Sequence, residues 1–188
     1  MIPMRKIVAS EFISLDGVVE APDQWHFPYF NDEMGQAVWA TMSASEAMLI
    51  GRVTYEGFAA AWPATDSREE PDEMVQFMNK TPKLVVSNTL DTVEWENSTL
   101  IKGDAIEEIT KIKQGPGGVI GVTGSVTLVR ALLAAGLVDE LRLLVHPIVV
   151  GTGLRLFADE GPKLPLKLVD SQTFQTGVLN LTYVPADA

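Results

Sequence analysis

Cysteine is absent from the 188 residues, which removes disulfides, thiolate metal sites and a thiol nucleophile at one stroke. Histidine is almost absent: His26 and His146 are the only two, too few for a histidine-rich metal centre. No bound metal is expected. Cations are scarce as well. Lys and Arg number 14 against 25 Asp and Glu, a net charge of −11, and such a balance repels nucleic acid and anionic membranes at long range. The apolar runs are too short to span a bilayer, and the chain passes from a short N-terminus straight into Arg5-Lys6-Ile7-Val8-Ala9 with no secretory pattern. The expectation is a cytoplasmic protein whose partner is neither nucleic acid nor membrane. Internal repeats, heptads and long polar tails are missing too.

What is present is ordinary for a globular domain: 46% hydrophobic and 21% charged residues. The length fits one domain, residues 1–188, better than two, and suffices for a sizeable core. The most informative stretch is Gly118-Val119-Ile120-Gly121-Val122-Thr123-Gly124-Ser125-Val126-Thr127-Leu128-Val129-Arg130-Ala131-Leu132-Leu133. A β-branched strand carrying Gly121 reaches Gly124, and Val126, Val129, Leu132 and Leu133 then recur at helical spacing. In a strand, turn and helix of this kind the first helical N–H groups lack internal partners and sit at the positive end of the helix dipole. An anion such as a pyrophosphate would be held there by Gly124, Ser125 and Val126 without a basic side chain. Ser125 could equally serve only as the N-cap of its own helix.

Other strand ends have similar chemistry. Arg5 to Ile13 reads as a strand broken by Ser14-Leu15-Asp16-Gly17. A long loop follows with Trp25, Phe27, Tyr29 and Phe30, which either plugs the fold or covers a ligand. Asn31 starts a helix marked by Met34, Val38 and Met42, with Asp32 and Glu33 in its first turn. Ala47-Met48-Leu49-Ile50 is a buried strand ending at Gly51-Arg52, before a helix from Val53. Arg52 can fork onto phosphate oxygens or pair with Glu56 one turn on. Pro63 to Pro71 is turn-rich, and Asp72 to Asn79 reads as a short helix. Lys83 to Ser87 is a further strand ending in Ser87, Asn88 and Thr89, small donors suited to ribose or phosphate oxygens or to their own loop. A weak strand at Thr99-Leu100-Ile101 and a helix from Asp104 to Lys113 precede the glycine-rich stretch. Three parallel strands ending in ligand-type turns on one edge describe a nucleotide site in an open α/β sheet. Beyond Gly136, Val138 to Pro147, Leu166 to Phe174 and Val178 to Val184 read as strands, the last two an antiparallel hairpin.

Ser14-Leu15-Asp16-Gly17, Gly51-Arg52-Val53-Thr54-Tyr55-Glu56, Thr123-Gly124-Ser125 and Val138-Asp139-Glu140-Leu141 through Pro147 to Gly151-Thr152-Gly153 and Leu156-Phe157 occur in that order. Over nearly its whole length the chain thereby resembles the dihydrofolate-reductase-like group. Within that group it is similar to stand-alone relatives of the C-terminal reductase domain of the riboflavin-biosynthesis deaminase–reductase. The resemblance implies an α/β fold of three layers, α/β/α, with a mixed sheet of about eight strands. It also implies NADPH as hydride donor and a homodimer. By position, Gly51, Arg52 and Thr54 would lie along the cofactor phosphates and Ser87 and Asn88, with Thr89 beside them, near the adenosine phosphate. Gly121, Gly124, Ser125 and Val126 would surround the pyrophosphate. Trp25 and Phe27 would lie on the substrate side.

Two departures bear on the substrate. Riboflavin-pathway reductases carry a lysine four residues before Ser-Leu-Asp-Gly, where this chain has Ser10. Dihydrofolate reductases place a carboxylate on the helix after the aromatic loop, at a position that falls near Gly35 here. Asp32 and Glu33 are close by, and with Asp16 they are the candidate proton donors. The sequence therefore points to an NADPH-dependent reductase acting on a small pterin-, folate- or flavin-precursor-like heterocycle, or on a carbonyl or imine. The alternatives are the riboflavin-pathway reduction of a ribosylated pyrimidine phosphate, and a non-catalytic NADP-binding protein.

Overall fold

Every second residue of the central strands is apolar and buried on one face or the other, and a sheet so built must be covered on both sides. The computed structural model, which describes residues 4–65 and 72–186, is organised around one such sheet. Its strands are β1 (Ile7–Ser14), β2 (Ser45–Gly51), β3 (Lys83–Val86), β4 (Ser98–Ile101), β5 (Val119–Thr123), β6 (Glu140–His146), β7 (Leu166–Thr173) and β8 (Leu179–Pro185). They lie in the order β4-β3-β2-β5-β1-β6-β8-β7. The first six run parallel, and β8 and β7 add antiparallel strands at one edge. The expected mixed eight-stranded sheet with a C-terminal hairpin is thus present.

Five helices flank it: α1 (Asp32–Ser43), α2 (Arg52–Thr65), α3 (Glu73–Lys80), α4 (Ala105–Gln114) and α5 (Val126–Ala134). Ile109 of α4 and Leu128, Val129 and Leu132 of α5 bury against Ile7, Ala9, Leu49 and Ile120. On the opposite face Met48, Ile50 and Val85 meet α2 and α3, while Phe12 and Leu144 meet α1. Leu49 faces one layer and its neighbours Met48 and Ile50 the other, as the two-residue period of a strand requires. Side-chain caps start three of the helices where the sequence places them. Asn31, Asp72 and Asp104 accept the N–H groups of Met34, Val75 and Glu107. Of the turn-rich stretch expected over Pro63 to Pro71, residues 66–71 lie outside the described residues, and Pro63 belongs to α2.

Strand lengths set the position of the functional edge. Ser10 of β1 is in register with Thr123, the last residue of β5, yet β1 continues to Ser14 paired only with β6. On the other side of β5, β2 reaches Gly51. The sheet therefore carries a notch at the carboxyl ends of its parallel strands, bounded by β1 and β2 and floored by the end of β5.

Asp139, just before β6, ties the start of β1 to the end of α4. Its Oδ2 accepts the N–H of Ile7 at 2.8 Å and pairs with Lys113 at the end of α4. Asp139→Ala leaves the Ile7 N–H and the Lys113 ammonium without that partner and should cost about 1.5–3 kcal/mol. Asp139→Asn, which keeps an oxygen acceptor, should cost less. Urea denaturation of both variants checks the order, and an equal loss would contradict the double role of this carboxylate.

Candidate functional site: a cleft at the notch of the sheet

The notch opens into a cleft of about 1050 Å³, slightly above the roughly 300–1,000 Å³ of a small-molecule pocket. Its walls are the β2–α2 corner, the β5–α5 corner, the first half of the loop after β1, and α1. Gly51, Arg52, Thr54, Gly121, Gly124, Ser125 and Val126 all line it. Seven of the ten residues expected around a cofactor are thereby brought to one place.

The two corners are joined by a single hydroxyl. Ser125 Oγ accepts the N–H of Gly51 at 2.7 Å and donates to Thr54 Oγ1 at 2.8 Å. Ser125 makes no side-chain cap to α5 and adopts the left-handed conformation, φ 55° and ψ 55°. Its hydroxyl therefore serves the neighbouring corner and not its own helix. The close fit explains two glycines. A Cβ on Gly124, whose φ is +62°, would lie 3.0 Å from Thr54 Oγ1, and one on Gly121 would lie 2.6 Å from Ser45 Oγ. The first N–H groups of α5 remain free of intrahelical acceptors at this rim.

Arg52 lies at the mouth with its Nη1 2.9 Å from Glu56 Oε2, an exposed i,i+4 pair. Such a pair contributes little to stability and leaves the guanidinium available for exchange onto a ligand. Ser87, Asn88 and Thr89 are placed differently. Ser87 Oγ accepts the N–H groups of Thr89 and Leu90, and Asn88 bridges both backbone groups of Gly103. These side chains build their own loop and do not line the cleft, where β3 contributes Val86 instead.

The candidate carboxylates and aromatics also lie outside it. Asp16 accepts from Ser14 Oγ at 2.6 Å and from the N–H groups of Val150 and Gly151 at 3.0 and 2.9 Å. Those donors, the Ser14 hydroxyl foremost, hold its carboxyl down to about 2. Asp16 therefore stays ionised and clamps the loop after β1 to the loop after β6. Glu33 Oε2 accepts from Asn31 Nδ2 and from the N–H of Gln175 in the β7–β8 turn, and Asp32 is exposed in the first turn of α1. Trp25 is buried edge-on against His146, and Phe27 leans on His26 while remaining 63% exposed. The aromatic part of the loop is a plug, and its Val19–Asp23 segment borders the cleft. His146 is a core residue whose Nδ1 lies 2.8 Å from Leu144 O.

Glu11 is the acid that sequence reading passed over. It lines the cleft, is 5% exposed, and has an Oε1 without a hydrogen-bond partner. It is the first β1 residue beyond the end of β5, so the Gly124 N–H that follows β5 reaches its carboxyl. Burial pushes that carboxyl well above the usual carboxylate range, offset only in part by the Gly124 hydrogen bond. Alternation in a strand predicts Glu11 on a core face, and a charged residue among Ala9 and Ile13 was the available signal.

Residues 5–180 match the family model of the RibD C-terminal domain. An uncharacterized Bacillus subtilis (strain 168) protein, YyaP, is 28% identical over 180 residues, spanning 95% of this chain and 94% of its own. Among solved structures, a putative riboflavin biosynthesis protein from Shewanella sp. PV-4 superposes with a TM-score of 0.75 at 19% identity, over 97% of this chain and 99% of that one. Dihydrofolate reductase from Enterococcus faecalis, complexed with NADP(H) and RAB-propyl, superposes with a TM-score of 0.65 at 17% identity over the whole of both chains. These likenesses place the three-layer sheet among dihydrofolate-reductase-like folds.

Asp16→Asn should lower the urea midpoint at neutral pH. Because the folded-state carboxyl is depressed from 3.8 to about 2, its contribution is present above 3.8 and is lost as pH falls through about 2. The gap between variant and parent should close over that interval, and a gap independent of pH would contradict the clamp. Ser125→Ala should cost about 1–2 kcal/mol by stripping the Gly51 N–H of its acceptor, measured the same way.

Proposed function

The chain belongs to the RibD C-terminal domain family, and from that premise we propose that it is an NADPH-dependent reductase of a small, unphosphorylated heterocyclic, carbonyl or imine compound. The observation that carries this reading is the hydroxyl-tied pair of corners at the end of β5, which brings glycine turns and a helix start to the mouth of one large cleft. When bound there, a reduced nicotinamide supplies a hydride to the substrate. Main-chain donors at Ser125 and Val126 hold the pyrophosphate, Gly51 and Gly124 let it approach, and Arg52 and Thr54 face the remaining phosphate oxygens. Ser87, Asn88 and Thr89 shape the adenosine end through their loop and donate no side-chain hydrogen bond to the ligand.

The other half of the cleft receives the substrate. Val38, Met42, Met48 and Phe58 form an apolar wall, with the hydroxyls of Ser10 and Ser45 as its polar points. Among the described residues that line the cleft, Arg52 is the one cation. Among the described residues of the cleft no second basic group is left to hold a sugar phosphate, which favours a substrate other than a ribosylated pyrimidine phosphate. Asp16, Asp32 and Glu33 are engaged or exposed elsewhere, so proton delivery falls to water admitted beside Ser10. The apolar wall orients the substrate and excludes bulk solvent. The protein works in the cytoplasm as a homodimer, the two copies meeting on the uncovered β7–β8 hairpin, where Leu168 and Val169 are half exposed.

Titration with NADPH and NADH tests the cofactor assignment. Arg52→Ala should weaken NADPH about tenfold, the loss of roughly one charge-assisted hydrogen bond, and weaken NADH less. Equal losses would remove Arg52 from the 2′-phosphate, and failure of the parent to bind either dinucleotide would overturn the reading.

A further inference from the structure

We propose that Glu11 gates the cradle at the start of α5 by its own proton: as a neutral acid it donates a hydrogen bond to the bound diphosphate, and as a carboxylate it repels it. The inference rests on the cofactor reading above and adds to it a residue and a regulation.

The geometry leaves the side chain few other uses. Its position one step past the register of Ser10 with Thr123 puts it against the Gly124 turn. The Gly124 N–H occupies part of the carboxyl, and Oε1 has no partner among the described residues. A buried polar atom without a partner is costly unless something arrives to satisfy it. Oε1 belongs to a residue of the cleft lining, beside the helix start that attracts anions.

Nothing charged nearby neutralises Glu11. On α5, Arg130 is committed to the carbonyls of Leu156 and Arg155. On β6, Arg142 and Glu140 pair with each other, and β5 carries no titratable group. On the loop after β1, Glu20 accepts the N–H of Leu154, Asp23 sits at the cleft edge, and Asp16 is held by the Val150 and Gly151 amides. Arg155 lies against Asp16, and Arg52 against Glu56. An acid left this dry takes up a proton, consistent with the raised range of its carboxyl. A neutral acid is what an anion site tolerates. The step is a hydrogen bond only: Glu11 keeps its proton, and no bond is made or broken.

Linkage then fixes the measurable result. A ligand that requires the protonated form takes up a proton when it binds above the carboxyl's ionisation, and its affinity falls tenfold per pH unit there. Calorimetric titration of the full chain with NADPH, in two buffers of different ionisation enthalpy, reads that uptake directly. NADH serves as a control because it lacks the 2′-phosphate, which titrates on its own. The parent should take up close to one proton with both dinucleotides at alkaline pH. Glu11→Gln, isosteric and able to donate, should bind at the parent's low-pH affinity with no uptake and a flat pH profile. Tight binding by the parent without uptake, or a Glu11→Gln profile parallel to the parent's, would overturn the gate while leaving the cofactor assignment standing. Absence of dinucleotide binding at every pH would overturn both. A carbon-13 NMR titration of the glutamate carboxyls in the parent gives the same answer without a variant. One resonance should titrate well above the carboxylate range and move higher with NADH. An unshifted resonance would refute the gate.

Discussion

The hydrogen bonds of Ser125 Oγ to Gly51 and Thr54 turn two separate strand-to-helix corners into one surface. Without them β2–α2 and β5–α5 would be neighbours in a sheet, each ending in its own loop. With them, a helix start, a threonine hydroxyl and the glycine at the end of β2 share one rim. The geometry leaves little room for substitution, because a Cβ at Gly124 would press on Thr54 and one at Gly121 on Ser45. Ser125 holds a left-handed backbone, which costs on the order of 1 kcal/mol for a residue with a Cβ, and the tie keeps it there. The early end of β5 supplies the depth. It lets β1 run on paired only with β6, turns the N–H of Gly124 to Glu11 and creates the space above the sheet.

Charge makes this arrangement intelligible. A protein of net charge −11 is a poor host for a phosphorylated ligand at long range, and among the described residues its cleft offers one cation, already paired with Glu56. On the proposed reading main-chain donors would meet the need at short range, since they carry no countercharge to be satisfied elsewhere and are fixed by the fold. Glu11 extends the same logic: a neutral acid serves as a donor where an ionised one would add to the repulsion. The loops on the far side of β1 follow a different rule. Asp16 is ionised because three donors, Ser14, Val150 and Gly151, converge on its carboxylate from the end of β1 and the loop after β6. One carboxylate is held charged between loops, and burial raises the ionisation of the other, which lines the cleft beside the start of α5.

The sheet was legible in the sequence because strands and helices alternate with clear periods, and because Asn31, Asp72 and Asp104 mark helix starts by side-chain chemistry. The glycine corners were legible for the same reason: only a strand, a turn and a helix fit Val119 to Leu133. Side chains whose partners lie far along the chain were not. Asp16 reads locally as a turn residue or a proton donor, and its partners at 150 and 151 are invisible to local pattern. The loop of Trp25 and Phe27 read as either a plug or a cover over a ligand, and local pattern could not decide, because the buried ring of His146 that packs against the tryptophan lies far along the chain. Ser87 and Asn88 offered two readings: Ser87 took backbone groups of its own loop, and Asn88 took those of Gly103 in the loop after β4. Glu11 was lost between a strand pattern that asked for an apolar residue and a motif that begins three positions later.

The central claim is that main-chain donors at the start of α5, beside the β2–α2 corner tied to it, hold a dinucleotide, and amide NMR of the nitrogen-15-labelled chain tests it most directly. Titration with NADPH should shift the N–H resonances of Ser125 and Val126, together with those of Gly51 and Gly124 beside them, in one concerted step, ahead of residues elsewhere on the sheet. Resonances at those four positions that stay fixed while others saturate would contradict the account.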